Sequence, residues 1–206
     1  MEALLIMKLL FQNEVIQLDK NITVNEVINK INDLLSGNYY FSHLIADNHA
    51  IYENYDVFLQ TNLNEIKELK IVTKTIKEFV NEIFLSSEEY ISRAKPQIDV
   101  LTVEFYRNPS SDSWNNFAQL LEGIQWLNDM IHTIDSVVEK PNNWTNFIKI
   151  KVELDAELEN LEEAINNGDI VLIADILKYE ILSIFESLET EIRLSIDTEG
   201  YRNDIN

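Results

Sequence analysis

Glu68-Leu69-Lys70-Ile71-Val72-Thr73 runs without a break into Lys74-Thr75-Ile76, and this stretch decides the fold. Up to Thr73 apolar and polar side chains alternate, the period of a strand with one face sheltered. From Ile76 onward the apolar positions Ile76, Val80 and Ile83 recur every three or four residues, the period of a helix. Neither Gly nor Pro separates the two rhythms, so a strand is expected to pass directly into a helix. Read outward from this junction, the chain divides into residues 1–73 and 74–206.

In the first part, Met7, Leu9 and Phe11 alternate with Lys8 and Leu10, and Gln12-Asn13-Glu14 turns the chain back into Val15-Ile16-Gln17-Leu18, a hairpin. Thr23-Val24-Asn25-Glu26 has the form of a capping box: the threonine caps free helix amides and the glutamate reaches back. Val24, Val27, Ile28, Ile31, Leu34 and Leu35 then form a helical stripe that is expected to stop at Ser36-Gly37. Tyr39 to Ala46 is rich in aromatic and branched residues and turns at Asp47-Asn48, and a short strand follows through Ile51 and Tyr52. Glu68–Thr73 is the last strand.

This order of elements resembles the ubiquitin-like β-grasp. The resemblance is sharpest at His43-Leu-Ile-Ala-Asp-Asn-His-Ala-Ile-Tyr-Glu-Asn54, which looks like ubiquitin's third strand, short fourth strand and the turn after it. Tyr55, Leu63 and Ile66 suit the loop that returns to the final strand. The likeness covers about residues 5–73 and is one of pattern. It departs from ubiquitin after the last strand, where the chain enters a helix and has no diglycine tail, so conjugation through a C-terminal glycine is not implied. The fold implies binding surfaces at most.

The second part reads as wholly helical, an up-and-down bundle of four or five helices. The first stripe runs from Ile76 to Phe105, with a second capping-box pattern at Ser86-Ser-Glu-Glu89 that divides it into two helices and with Pro96 as a kink or helix start. Asn108-Pro-Ser-Ser-Asp112 is a break. The next helix, about 112–139, carries Phe117, Ile124, Leu127, Ile131, Ile134 and Val138, and a third, about 144–166, carries Phe147, Ile150, Leu154, Leu158, Leu161 and Ile165. Gly168 suits a left-handed C′ position and Asp169 a cap, which forces the third helix and the fourth (Ile170 to Ile192) into an antiparallel hairpin. The last ten residues are polar and expected to fray. The fold class expected is therefore α+β: an N-terminal ubiquitin-like β-grasp followed by an acidic helical bundle.

The 206 residues are 46% hydrophobic and 25% charged, which marks a globular chain long enough for a real core. Sixteen Lys and Arg against 36 Asp and Glu give a net charge of −20. Residues 1–73 contribute 5 basic and 10 acidic groups, residues 74–206 contribute 11 and 26, so the acidity belongs mainly to the helical part. Such a surface repels phosphate backbones and anionic lipid, which weighs against nucleic-acid and membrane partners. It keeps a chain soluble or attracts a basic protein. The absence of Cys removes disulfides, thiolate metal sites and thiol nucleophiles, and it fits a reducing cytoplasm. The apolar start, Met1 to Phe11, holds Glu2 and Lys8 and no small-residue cleavage site, unlike a signal peptide, and no apolar run is long enough to cross a bilayer. The strand pattern starts at Met7, which makes Met7 an alternative first residue to Met1.

No catalytic residue, cofactor or metal site is expected. Asp129-Met-Ile-His132 matches half of the acid-and-histidine pattern of di-iron carboxylate bundles, but such a site needs a second copy, and His43 and His49 both lie in the first part. A carboxylate metal enzyme built on Asp129 and His132 is accordingly the alternative reading. Glu153, Asp155, Glu157, Glu159, Glu162 and Glu163 crowd one helix as a solvated face or as a patch for a basic partner. Ser86-Ser87 and Ser110-Ser111 sit in no nucleophile elbow, and four Gly in the whole chain supply no phosphate-binding loop.

Three features point to binding an as yet unspecified protein partner. With Leu9, Leu44 and Ile71 facing the helix, Leu10, Ile45 and Val72 face the other way, either toward a partner or under the chain's own helical part. In Gly123-Ile-Gln-Trp126, with Met130 one turn on, Trp126 and Met130 lie away from the centre of the apolar stripe; a mid-helix glycine costs about 1 kcal/mol against Ala and permits a close approach. The alternative is a central helix, apolar nearly all round. Trp144 with Phe147 reads as a hydrophobic staple or a core plug. The expected role is a non-catalytic interaction or adaptor module acting through Leu10, Ile45 and Val72 or through the bundle at Trp126 and Met130, with an acidic bundle that sequesters a basic partner as a third reading.

Overall fold

The computed structural model describes residues 7–19, 21–35 and 39–202. The Ser36-Gly37 stop and the choice between Met1 and Met7 lie outside the described residues. A five-stranded mixed sheet comes first and a helical region follows, an α+β fold. The chain divides into two compact units, Met1–Phe79 and Val80–Asn206.

The first unit contains β1 (Met7–Phe11), β2 (Glu14–Leu18), α1 (Val24–Leu35), β3 (Tyr39–Ala46), β4 (His49–Ile51), α2 (Tyr55–Asn62) and β5 (Glu68–Thr75). The sheet order is β2-β1-β5-β3-β4, with β1 and β5 parallel and the other pairs antiparallel. Leu9, Leu44, Leu69 and Ile71 project from the three central strands onto Val27 and Ile31 of α1 and Leu59 of α2, all buried. The capping box at the start of α1 is present: Glu26 accepts from the Thr23 amide at 2.8 Å, and the Thr23 hydroxyl accepts from the Glu26 amide at 3.3 Å. Asp47 and Asn48 both hold positive φ, 44° and 73°, the hand that matches strand twist in a two-residue hairpin. The Asp47 carboxylate also accepts the Glu68 amide at 2.9 Å, pinning this turn to the start of β5. The return to β5, read from sequence as a loop, contains the eight-residue helix α2.

One irregularity sets which residues face outward. Phe41 lies opposite Thr73 and His43 opposite Val72, so Ser42 is an extra residue, a β-bulge. Before it, Phe41 packs toward the core; after it, Leu44 and Ala46 do. Without the bulge the parity would put His43 and Ile45 inside and Leu44 outside.

β5 ends in the junction expected from its rhythm. Thr75 pairs with Tyr39 as the last strand residue and also opens α3 (Ile76–Arg107). Its amide donates to Glu78 at 2.7 Å, and its hydroxyl accepts from the Glu78 amide at 3.2 Å, a capping box that the sequence reading did not single out. Phe79, at the end of this first turn, stacks on Tyr40 with ring centroids 3.8 Å apart.

The second unit holds the rest of α3, then α4 (Ser111–Asp135), α5 (Trp144–Asn167) and a last helical run. That run consists of α6 (Ile170–Asp175), a π-helical turn (Ile176–Ile181) and α7 (Leu182–Glu199). The expected division of α3 near Ser86 does not occur. Ser87 is buried and its hydroxyl donates to the Ile83 carbonyl at 2.8 Å, while Glu88 is occupied by arginines. Pro96 sits inside the helix on an exposed position, where packing of the opposite face (Ile91, Ala94, Ile98, Leu101) outweighs a lost backbone bond. α4 ends at Asp135, four residues earlier than expected. Val137 rather than Val138 enters the core, and Val138 is 83% exposed. On α5, Ile165 is also exposed, because Leu161 and Ala164 already carry the buried face there. Gly168 takes the left-handed position with φ 66°, and Asp169 caps the Leu172 amide at 3.0 Å, both as expected. Trp144 is a core plug stacked on Phe147, its indole N–H donating to Asp135 at 2.9 Å.

Of the last ten residues, 203–206 lie outside the described residues, and 197–202 do not fray. Helix α7 continues to Glu199, and buried Asn81 of α3 then holds Tyr201 by two backbone hydrogen bonds, at 3.0 and 3.1 Å. A Cβ on Gly200 would lie 2.0 Å from the Asn81 side-chain oxygen, so only glycine lets the chain approach this closely. Arg202 and Arg193 both donate to Glu88, at 2.6 and 2.8 Å, and Arg193 and Lys95 share Glu189.

Two outcomes follow from these contacts. Gly168→Ala is expected to destabilise the chain by about 1 kcal/mol in chemical denaturation, purely as backbone strain, because a Cβ there meets nothing within 4 Å. The guanidinium of Arg202, seconded by Arg193, holds the Glu88 carboxyl below its ordinary range against the opposing effect of burial. Its contribution is therefore complete above about pH 4.3, the ordinary glutamate value, and is lost as pH falls through the lower native value. Glu88→Gln should be less stable than the parent at neutral pH, with a gap that closes on acidification when denaturation midpoints are compared across pH.

Candidate interaction face of the sheet

The register of the strands builds the site. Leu10 of β1 lies opposite Val15 of β2 and beside Lys70 of β5, and Lys70 lies opposite Ile45 of β3, which faces Ala50 of β4. Val72 stands two residues beyond Lys70 on the same face, opposite His43. Neighbouring strands are about 4.8 Å apart, so Leu10 and Ile45 flank Lys70 at roughly 10 Å from each other. Each of the three aliphatic side chains is half-buried, and Lys70 is exposed. The three sheet residues named from sequence thus do come together, on the face opposite α1.

Around them the face is lightly charged. Lys8 lies next to Glu68 in register, which leaves Lys70 as the central charge. The His43 ring stacks on Tyr52, whose side chain is 66% exposed, with centroids 4.5 Å apart, and its Nδ1 lies 3.0 Å from the hydroxyl of the bulge residue Ser42. One end of the face is closed by Phe79 on Tyr40. Tyr52 and His43 were not singled out as binding residues from sequence; their stacking arises from the bulge, which has no signature there.

The two helical candidates part company. Trp126 is 41% exposed and meets Tyr90 edge-on at 5.7 Å. Met130 is 4% exposed, within the apolar interior of its unit beside Leu127 and Ile131, so it is withdrawn as a surface residue. The close approach permitted by Gly123 is that of Tyr90: a Cβ at 123 would lie 1.6 Å from its hydroxyl oxygen. Burial raises the pKa of that hydroxyl above its ordinary value.

The metal alternative finds little geometry to stand on. Asp129 and His132 are both exposed on α4, and the Asp129 carboxylate accepts the Gln125 amide at 2.8 Å. Among the described residues no three His, Asp or Glu side chains are grouped so as to hold a metal ion. No helix among them is long and apolar enough to cross a membrane. Glu157 and Glu163 of α5 and Asp175 and Glu180 of the last helical run line a groove of about 430 Å³ together with Tyr179. At its edge Tyr106 donates to Asp175; this bond, aided by the negative charge, pushes the Tyr106 hydroxyl up to about 12.

No curated protein and no solved structure matches the chain. Residues 82–191, just over half of its length, match a family model and span α3 to α7. The chain belongs to the family described as Domain of unknown function (DUF8042).

Proposed function

We propose that the first unit is a β-grasp of the ubiquitin kind and that the chain is a non-catalytic interaction module, docking a partner protein on the outer face of its sheet. The β-grasp reading is supported by the strand order β2-β1-β5-β3-β4, by the parallel central pair and by α1 lying across one side. The docking reading rests on one observation: Leu10, Ile45 and Val72 surround an exposed Lys70 on a face that no residue of α1 or α2 covers within this unit. Half-exposed aliphatics around a central cation suit a partner surface that brings apolar anchors and a carboxylate. The net charge of −20 favours a protein over a nucleic acid in that place.

Ile45→Asp and Val72→Asp each force a charge into the centre of such an interface and should reduce recovery of the partner from native extract more than tenfold. Val138→Asp, on a fully exposed position outside the sheet, is the control and should leave recovery unchanged. If both sheet variants fold and bind like the parent, the sheet face is excluded.

A second reading attaches to the groove lined by Glu157, Glu163, Asp175 and Glu180, whose charge suits a basic partner. Binding there would weaken steeply between roughly 50 and 200 mM salt, as charge-driven association does. A salt-independent affinity for a basic protein, measured by calorimetry, would remove it.

A further inference from the structure

The helical unit carries a second surface, independent of the sheet. Between α3 and α4 runs a groove of about 360 Å³. Its floor is apolar, formed by Ala94, Ile98, Leu101 and Leu120, and its rim carries the amides of Gln97, Asn116 and Gln119. Val100 stands on the rim and is 53% exposed. Tyr90 forms one end wall, its ring seated over Gly123, so the mid-helix glycine that costs about 1 kcal/mol in α4 is what lets this wall stand.

The length and the charges define what fits. From Tyr90 to Glu104 the groove follows α3 for 14 residues, about 21 Å at 1.5 Å per residue, or four helical turns. The volume is at the small end of the roughly 300–1,000 Å³ typical of small-molecule sites, enough for a few inserted side chains. Arg93 stands near the Tyr90 end and Glu104 at the other, eleven residues apart, a spacing that returns to the same helix face. Among the described residues Arg93 is committed elsewhere only to an exposed contact with Glu89 at 3.8 Å, which is worth little.

We propose that this groove receives one amphipathic helix of a partner protein, with an acidic residue set against Arg93 and a basic residue eleven positions on against Glu104. Aliphatic side chains at three- and four-residue spacing between them fill the floor. A helix is intrinsically steadier with acids in its first turn and bases in its last, so the occupant runs parallel to α3. This goes beyond the sheet face and does not depend on it.

The test uses the full chain and a fluorescent synthetic peptide of 14 residues with Glu near its start, Lys eleven positions later and Leu at the intervening apolar sites. Anisotropy should show saturable binding, weakened at least tenfold by Arg93→Glu and by Val100→Asp. Replacing the peptide's Glu by Lys should restore its affinity for the Arg93→Glu chain, a recovery that a misfolded variant would not show. Absence of binding, or binding that ignores Arg93→Glu, overturns the proposal. Concentration-dependent self-association abolished by Val100→Asp would assign the groove to a second copy of the chain and likewise overturn it. The sheet variant Ile45→Asp should bind the peptide as the parent does, so failure of the sheet reading leaves this result distinct.

Discussion

Thr75 holds two positions at once, and the junction has no slack because of it. As a strand residue it pairs with Tyr39; as a helix cap it exchanges hydrogen bonds with Glu78. An unpaired amide at this point would cost a substantial fraction of the net stability of a domain, and here the Thr75 amide is met by the Glu78 carboxylate and the Glu78 amide by the Thr75 hydroxyl. The strand that ends there is the middle one of five, and it supplies Leu69 and Ile71 to the core and Lys70 and Val72 to the opposite face. The core, the candidate face and the start of the helical region are therefore all indexed to the same eight residues.

Much of this was legible because it follows from periodicity. The alternation of β1 and β5, the capping box at Thr23 and the Gly168-Asp169 hairpin each carry a local signal that does not need the rest of the chain, and each stands where that signal put it. The errors share a different cause. Ser86 and Glu89 have the letters of a cap, but the buried face of α3 runs through them unbroken (Phe84, Ser87, Ile91), and the neighbouring Glu88 is held by Arg193 and Arg202, residues more than a hundred positions away. The short α2 has a weak apolar pattern of its own and depends on burying Leu59 against the sheet core. Long-range partners override local propensity in both directions.

The candidate face shows the same division. Leu10, Ile45 and Val72 were placed on one side by alternation alone, and the strand register brings them together. For Ile45 that depends on Ser42, whose insertion changes the parity of β3, and nothing in Tyr39–Ala46 announces a bulge. Met130 was misread because a helix packed on several sides has no single apolar stripe, so distance from the stripe's centre is not exposure. Gly123 signalled a close approach but could not name Tyr90, which comes from another helix.

The six-residue turn of wider helix between α6 and α7 has a bearing on how this chain tolerates change. A wide turn of this sort accommodates one residue more than the regular spiral would need, and each residue of regular spiral advances the direction of the side chains by about 100°. Every position after Ile181 is therefore phased by that surplus residue. Removing that residue within Ile176–Ile181 would return the turn to the regular spiral with the rest of the helix in phase, whereas removing a second would swing Glu189, Arg193 and the Asn81-bound tail about 100° around the axis, away from the partners they now meet. The wide turn thus gives this helix slack for the loss of one residue and none for the loss of two, although its surface looks equally permissive to both.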